Sequence, residues 1–225
     1  GIEKIASSEG FILGIAIDNN NNIFACELKH AAVYKYDSER KDFKEFAKGP
    51  KVPNYPVIDA KRNALYVSDS FGFGEKGIGV YKFDLTTGKG GPCSEELFNF
   101  ANGMCLSPDE DYLYVIESFH PCVSRMKIQD DGSLGKKEIF TEDVQTVPDG
   151  LAFDKNNNLF ISCYEPSRIY MADPNGKCKL LIEDPVCTTL AHPTNIVISE
   201  DGNTMYTANL GRWHITKIDI SSLYS

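Results

Sequence analysis

The chain has 225 residues, 42% hydrophobic and 24% charged, enough to bury a sizeable core and unlike a disordered or fibrous composition. Its formal net charge of −9, with 23 Lys and Arg that form no run, argues against a nucleic-acid partner, whose phosphates call for clustered cations. No stretch approaches about 18 consecutive apolar residues, and the opening GIEKIASSEG has no basic segment leading into an apolar one, so neither a membrane span nor a signal peptide is expected, and the expected location is cytoplasmic with no membrane partner.

Five stretches of the chain read alike. They begin at Gly14 (GIAIDNNNNIFACELKHAAVYKYD), Tyr55 (YPVIDAKRNALYVSDSF, then GIGVYKFDLTTGK), Gly103 (GMCLSPDEDYLYVIESF, then CVSRMKIQDDG), Gly150 (GLAFDKNNNLFISCYEPSRIYMADPNG) and Asn195 (NIVISEDGNTMYTANLGRWHITKID). Aligned on the polar residue that ends the first apolar run, Asp18, Asp59, Ser107, Asp154 and Ser199, the copies are spaced by 41 to 48 residues. That period suits four-stranded propeller blades.

Each copy predicts a small antiparallel meander. The first strands are apolar and small (GIAI, GLAF, NIVI), as expected of strands packed between neighbouring blades. The turns that follow are rich in Asn, Asp and Gly, which tolerate left-handed backbone. Third strands such as Val33-Tyr34-Lys35-Tyr36 alternate, as a half-solvated strand does. No helix of ten or more residues is expected. The last copy stops after its third strand, whereas Ile2 to Ser7 stands as a lone strand before the first copy, so pairing of the two ends is expected to close the ring. The predicted fold is all-β, a single five-bladed β-propeller over 1–225; the alternative is a six-bladed propeller lacking its first blade.

The seven cysteines, Cys26, Cys93, Cys105, Cys122, Cys163, Cys178 and Cys187, form no CxxC pair, and several sit in apolar strands, as in FACE and FISCY. They read as reduced structural thiols rather than disulfides or a metal cluster.

The residue five places before each alignment marker is Leu13, Asn54, Asn102, Asp149 or Thr194. In a propeller, equivalent places on the inner strands form a ring around the axis. Two amide oxygens and a carboxylate from Asn54, Asn102 and Asp149 make a hard-oxygen set suited to Ca²⁺, with Mg²⁺, Mn²⁺ and Zn²⁺ as alternatives. Asn and Asp ahead of Gly are also ordinary turn residues that satisfy local N–H groups; the shared offset in three successive copies favours the site. Thr194, Asn195 and Arg212 are candidate substrate contacts.

The stretches Ala101-Asn102-Gly103-Met104, Pro148-Asp149-Gly150-Leu151 and Pro193-Thr194-Asn195, with the second strands that follow them, resemble the family of senescence marker protein (regucalcin), gluconolactonase and luciferin-regenerating enzyme. The resemblance implies a six-bladed propeller holding one divalent cation and hydrolysing lactones or related esters. It also implies that the N-G asparagine is Asn102, the P-D-G aspartate Asp149 and the auxiliary asparagine Asn54. The family's glutamate, from the opening blade, falls on Leu13 here; Glu27 is the nearest substitute.

The expected function is therefore metal-dependent hydrolysis of a lactone or related ester, a small-molecule substrate, with Asp149 both ligand and proton acceptor. The alternative is a non-catalytic propeller that binds a small ligand or protein. A strictosidine-synthase-like condensation would need a glutamate facing the channel, for which Glu27 and Glu117 are the candidates. The four histidines show no HxH or HxxE spacing; Ser70 and Ser118 lack a GxSxG elbow and read as hydrogen-bonding residues at blade edges.

Overall fold

The computed structural model describes residues 3–224. Five antiparallel meanders follow one another. The first is β1 (Ile12–Ile17), β2 (Ile23–Glu27), β3 (Ala32–Asp37) and β4 (Asp42–Lys48), paired in that order. The second contains β5 (Pro53–Asp59), β6 (Ala64–Asp69), β7 (Lys76–Ile78), β8 (Val80–Asp84), β9 (Gly90–Pro92) and β10 (Leu97–Asn99). Its sheet runs β5-β6-β8-β9, and β7 pairs with β10 as a separate two-stranded ribbon. The third is β11 (Ala101–Leu106), β12 (Tyr112–Glu117), β13 (Cys122–Lys127) and β14 (Glu138–Thr141), and the fourth β15 (Val147–Phe153), β16 (Leu159–Glu165), β17 (Arg168–Ala172) and β18 (Cys178–Glu183), each in chain order. The fifth has three strands, β19 (Pro193–Ile198), β20 (Thr204–Asn209) and β21 (His214–Asp219), before a single 3-10 turn, Ser221–Tyr224. These are the five blades of a β-propeller, as the repeat predicts. Among the described residues no helix is long and apolar enough to cross a membrane.

The expected outer strand for the fifth blade is not formed by the described part of Ile2 to Ser7, Gly1 and Ile2 lying outside the described residues. Residues 3–8 carry no strand pairing. The reason is local. Ser7 and Ser8 turn their hydroxyls onto the backbone N–H groups of Glu9 and Gly10, at 3.4 and 3.2 Å, and Glu9 takes a φ of 59°. Side chains that bond their own neighbouring backbone compete with ladder pairing.

The alignment markers prove to be turn clamps. Asp18 Oδ1 accepts the N–H groups of Asn20 and Asn22, both at 2.9 Å, and Asp154 Oδ1 accepts those of Asn156 and Asn158, both at 2.8 Å. In the third and fifth blades a serine and an aspartate divide this role. Ser107 Oγ receives Tyr112 N–H while Asp109 receives that of Asp111, and Ser199 and Asp201 do the same for Thr204 and Asn203. The turns thereby fix register at one end of each sheet.

Two compact units make up the fold: residues up to Met104 with Lys127–Lys136, and Cys105–Met126 with residues from Lys137 onward. In the first, Phe24, Val33, Leu65, Val67 and Phe83 form a buried cluster. In the second, Tyr114, Val123, Leu151 and Ile161 form one cluster and Phe160, Ile169, Ile196 and Met205 another. Each such side chain contributes about 1.5–3 kcal/mol by leaving water. Second strands are the most buried, β6 throughout its length.

The first strand of the chain departs from expectation. Instead of being packed between neighbours, β1 presents Ile15 (48% exposed) and Ile17 (59%) to solvent, and in the fifth blade Ile215 and Trp213 are 73% and 82% exposed.

Candidate active site

The offset that picks out Asn54, Asp149 and Thr194 has a structural cause. In β5 the register to β6 slips between Pro53 and Pro56, in β15 the register to β16 slips between Pro148 and Gly150, and in β19 the register to β20 slips between Pro193 and Asn195. The residues left over are Asn54 with Tyr55, Asp149, and Thr194. β1 slips likewise between Ile12 and Ile15, around Leu13 and Gly14. These are β-bulges, which interrupt the ladder and re-aim a side chain. In three of the four a proline stands immediately before the bulged residue. With no N–H to give, it cannot continue the ladder there.

Serines on the second strands repair the interruption. Tyr55 N–H donates to Ser68 Oγ at 2.9 Å, and Gly150 N–H to Ser162 Oγ at 3.1 Å. Both hydroxyls are buried, so each bulge keeps its freed donor satisfied without water.

In the first unit, Asn54 is half-buried and its Nδ2 donates to Ser70 Oγ at 2.9 Å. Ser70 Oγ donates in turn to the carbonyl oxygen of Ala101, also at 2.9 Å, the residue before Asn102. Asn102 is buried. The unit therefore brings these two candidates to the same region through one serine. In the second unit, Ser118 Oγ donates to the carbonyl oxygen of Pro148 at 2.8 Å, the residue before Asp149. β15 runs beside β19 so closely that Ser162 Oγ also reaches Thr194 O at 3.2 Å, which sets Asp149 near Thr194 and Asn195. Asp149 also adds its charge to the burial and the neighbouring Cys178 that hold the Cys163 thiol well above its ordinary range.

The other candidates have different surroundings. Asn195 Oδ1 accepts the N–H of Ile196 at 2.9 Å. Arg212 is exposed in the turn between β20 and β21, at the end of the sheet where β19 begins. Leu13, at the family's glutamate position, lies in the β1 bulge. Glu27, the nearest substitute, has a buried carboxylate that accepts Lys29 N–H at 3.1 Å and His30 N–H at 2.8 Å, with His30 Nδ1 at 2.9 Å. Burial pushes the Glu27 pKa up, but these donors outweigh it and leave the carboxyl below its usual range. Glu117 is likewise engaged, by Ser124 Oγ at 3.2 Å and Lys137 Nζ at 2.8 Å.

One arrangement has no signature in the sequence. His192, just ahead of β19, places Nδ1 3.0 Å from the Tyr164 carbonyl and 2.9 Å from Glu165 Oε2, with its ring against Tyr164 at 4.9 Å. Spacing between histidines cannot reveal it, because the partners come from the end of β16.

The antiparallel meanders are the blades of a β-propeller, and in four of them the first strand carries a register shift near its start. The profile of the SMP-30/Gluconolactonase/LRE-like region family matches residues 69–211, and the chain belongs to that family. A gluconolactonase from Zymomonas mobilis is 33% identical over 115 residues, covering 47% of this chain and 31% of the relative. Lactonase drp35 from Staphylococcus haemolyticus is 24% identical over 225 residues, covering 76% and 69%. The chain thus spans under a third of the first relative and about two thirds of the second. Among solved structures, a gluconolactonase from Xanthomonas campestris superposes with a TM-score of 0.74 at 18% identity, over 91% of this chain and 71% of that one, and shares the fold.

Proposed function

We propose that the protein hydrolyses a lactone or related small ester, and that Asn54, Asn102 and Asp149 are the donors of one divalent cation, Ca²⁺ in the first instance. The observation that carries the proposal is the bulge: Asn54 and Asp149 occupy the same interruption of the first strand in different blades, the kind of local defect used to aim side chains at a site. Family membership and the two lactonase relatives support the reaction class.

The donor set fits such an ion. Asn54 has its amide nitrogen committed to Ser70, which leaves its oxygen as the free end. Two amide oxygens and one carboxylate make an oxygen set of the kind a hard cation takes; among the described residues no group of three or more His, Cys, Asp or Glu side chains that could hold a metal is found. When bound, the cation would polarise the substrate carbonyl and lower the pKa of a water. The chain's own residues do the rest. Asp149 accepts a proton from the attacking water at a carboxylate oxygen. The amide oxygens of Asn54 and Asn102 orient what binds there. Thr194, Asn195 and Arg212 contact the substrate, Arg212 as an exposed cation that meets its polar groups.

The test is calorimetric titration with Ca²⁺, Mn²⁺ and Zn²⁺, followed by a lactone panel on wild type and Asp149→Ala. Cation binding with loss of hydrolysis in the variant supports the proposal. No binding of any cation removes the metal; hydrolysis unchanged in Asp149→Ala removes the catalytic assignment. Absence of hydrolysis in wild type leaves a ligand-binding propeller.

A further inference from the structure

Ser70 and Ser118 occupy the same place in successive blades, immediately after the last residue of β6 and of β12. Both are buried, and their hydroxyls do the same thing. Each donates to the carbonyl oxygen of the residue just before a candidate donor of the following blade: Ala101 before Asn102, at 2.9 Å, and Pro148 before Asp149, at 2.8 Å.

For Ser70 the bond has a second consequence. A hydroxyl carries one proton. With that proton committed to the Ala101 carbonyl, only lone pairs face Asn54. The Asn54 amide can meet them only with its nitrogen, which it does at 2.9 Å. The alternative flip would set two acceptors against each other. Oδ1 is thereby turned away from Ser70 and meets no donor among the described residues.

On the reading that Asn54, Asn102 and Asp149 are cation donors, we propose that Ser70 and Ser118 are positioning residues for that set. Ser70 selects the amide orientation of Asn54 and anchors the backbone that carries Asn102. Ser118 anchors the backbone that carries Asp149. Neither serine touches the ion. Partners of this outer kind typically account for about 10- to 100-fold in metal affinity.

Two measurements test this. The first needs no cation: the Asn54 side-chain NH₂ signal, identified by its loss in Asn54→Ala, is followed by ¹⁵N NMR. One Nδ2 proton should exchange slowly in wild type, lose that protection in Ser70→Ala and regain it in Ser70→Thr. If it exchanges as fast in wild type as in a free amide, the orienting role is overturned without any variant having to fold. The second is titration with Ca²⁺, where Ser70→Ala and Ser118→Ala should each weaken binding about 10-fold or more. Binding as tight as wild type in both overturns the positioning role. If wild type binds no cation at all, the donor reading fails, and the NMR comparison still decides whether Ser70 orients Asn54.

Discussion

A Cβ placed on Gly150 would lie 2.5 Å from the carbonyl oxygen of Thr194. The same atom would stand 2.7 Å from Asn195 Cα, so its two nearest neighbours are backbone and have no rotamer to yield; Ser162 Oγ follows at 2.9 Å. Gly150→Ala is therefore expected to cost about 1–3 kcal/mol by overpacking. That corresponds to a fall of roughly 2–12 °C in the thermal midpoint for a chain of this size. Differential scanning calorimetry checks it, and an unchanged midpoint would mean that the two strands separate more readily than their spacing implies.

Asp59 and Arg62 form an ion pair of 2.9 Å at the turn after β5, the aspartate side chain fully buried and the arginine 8% exposed. Removing one partner strands a buried charge, which costs about 3–5 kcal/mol, whereas replacing both is far milder. Arg62→Met should lose stability in that range in urea unfolding, and Asp59→Asn/Arg62→Met should recover a large part of it. Equal losses in the single and double variants would rule out the stranded charge as the cause.

The loop from Asp184 to Leu190 is organised by one carboxylate, which accepts the N–H groups of Thr188, Thr189 and Leu190 at 3.0, 2.7 and 3.1 Å. The Thr189 N–H contributes most to holding the Asp184 pKa below its ordinary value, against some desolvation. A depressed carboxyl stabilises the fold above its unfolded pKa of about 3.9 and loses that contribution as pH falls further, through the folded value. Wild type should exceed Asp184→Asn in thermal midpoint at pH 7, with the gap closing below about pH 4. A gap independent of pH from 7 to about 3 would show that ionisation of Asp184 does not stabilise the loop.

All seven cysteines are free. Burial pushes Cys26, Cys105 and Cys163 far above the ordinary thiol range, Cys93 and Cys122 to about 12, and Cys178 to about 11. Alkylation requires the thiolate. Iodoacetamide at about pH 8 should thus leave these six unmodified in the native protein and reach them on unfolding, as intact mass would report. Rapid native labelling of Cys26 or Cys163 would contradict their burial.

Much of the blade pattern is legible in the residues because it is local. Asp18 and Asp154 clamp the turns that their Asn-rich contexts announce. The alternation expected of β3 is not seen: Ala32 and Val33 are buried, and Tyr34 to Asp37 are all half-buried. The candidate site is legible only as an offset. Its cause, a bulge, is announced in three blades by Pro53, Pro148 and Pro193, a signal that turn chemistry alone does not single out. The role of Ser70 cannot be read at all, since its partners lie 16 residues before it and 31 after it. The closing strand that the described residues 3–8 do not form is a failure of another kind: the apolar spacing of IEKIAS suits a strand, but Ser7 and Ser8 spend their hydroxyls on the adjacent backbone.

The exposed isoleucines of β1, with Trp213 and Ile215 in the fifth blade, change how the folded protein will answer a common assay. Dyes such as ANS brighten on apolar surface, and their signal is ordinarily taken as a mark of loosened packing. Here well-formed sheets already offer such surface. A bright dye signal at room temperature would therefore accompany intact tertiary structure, and near-ultraviolet circular dichroism rather than fluorescence should be used to decide when this protein has unfolded.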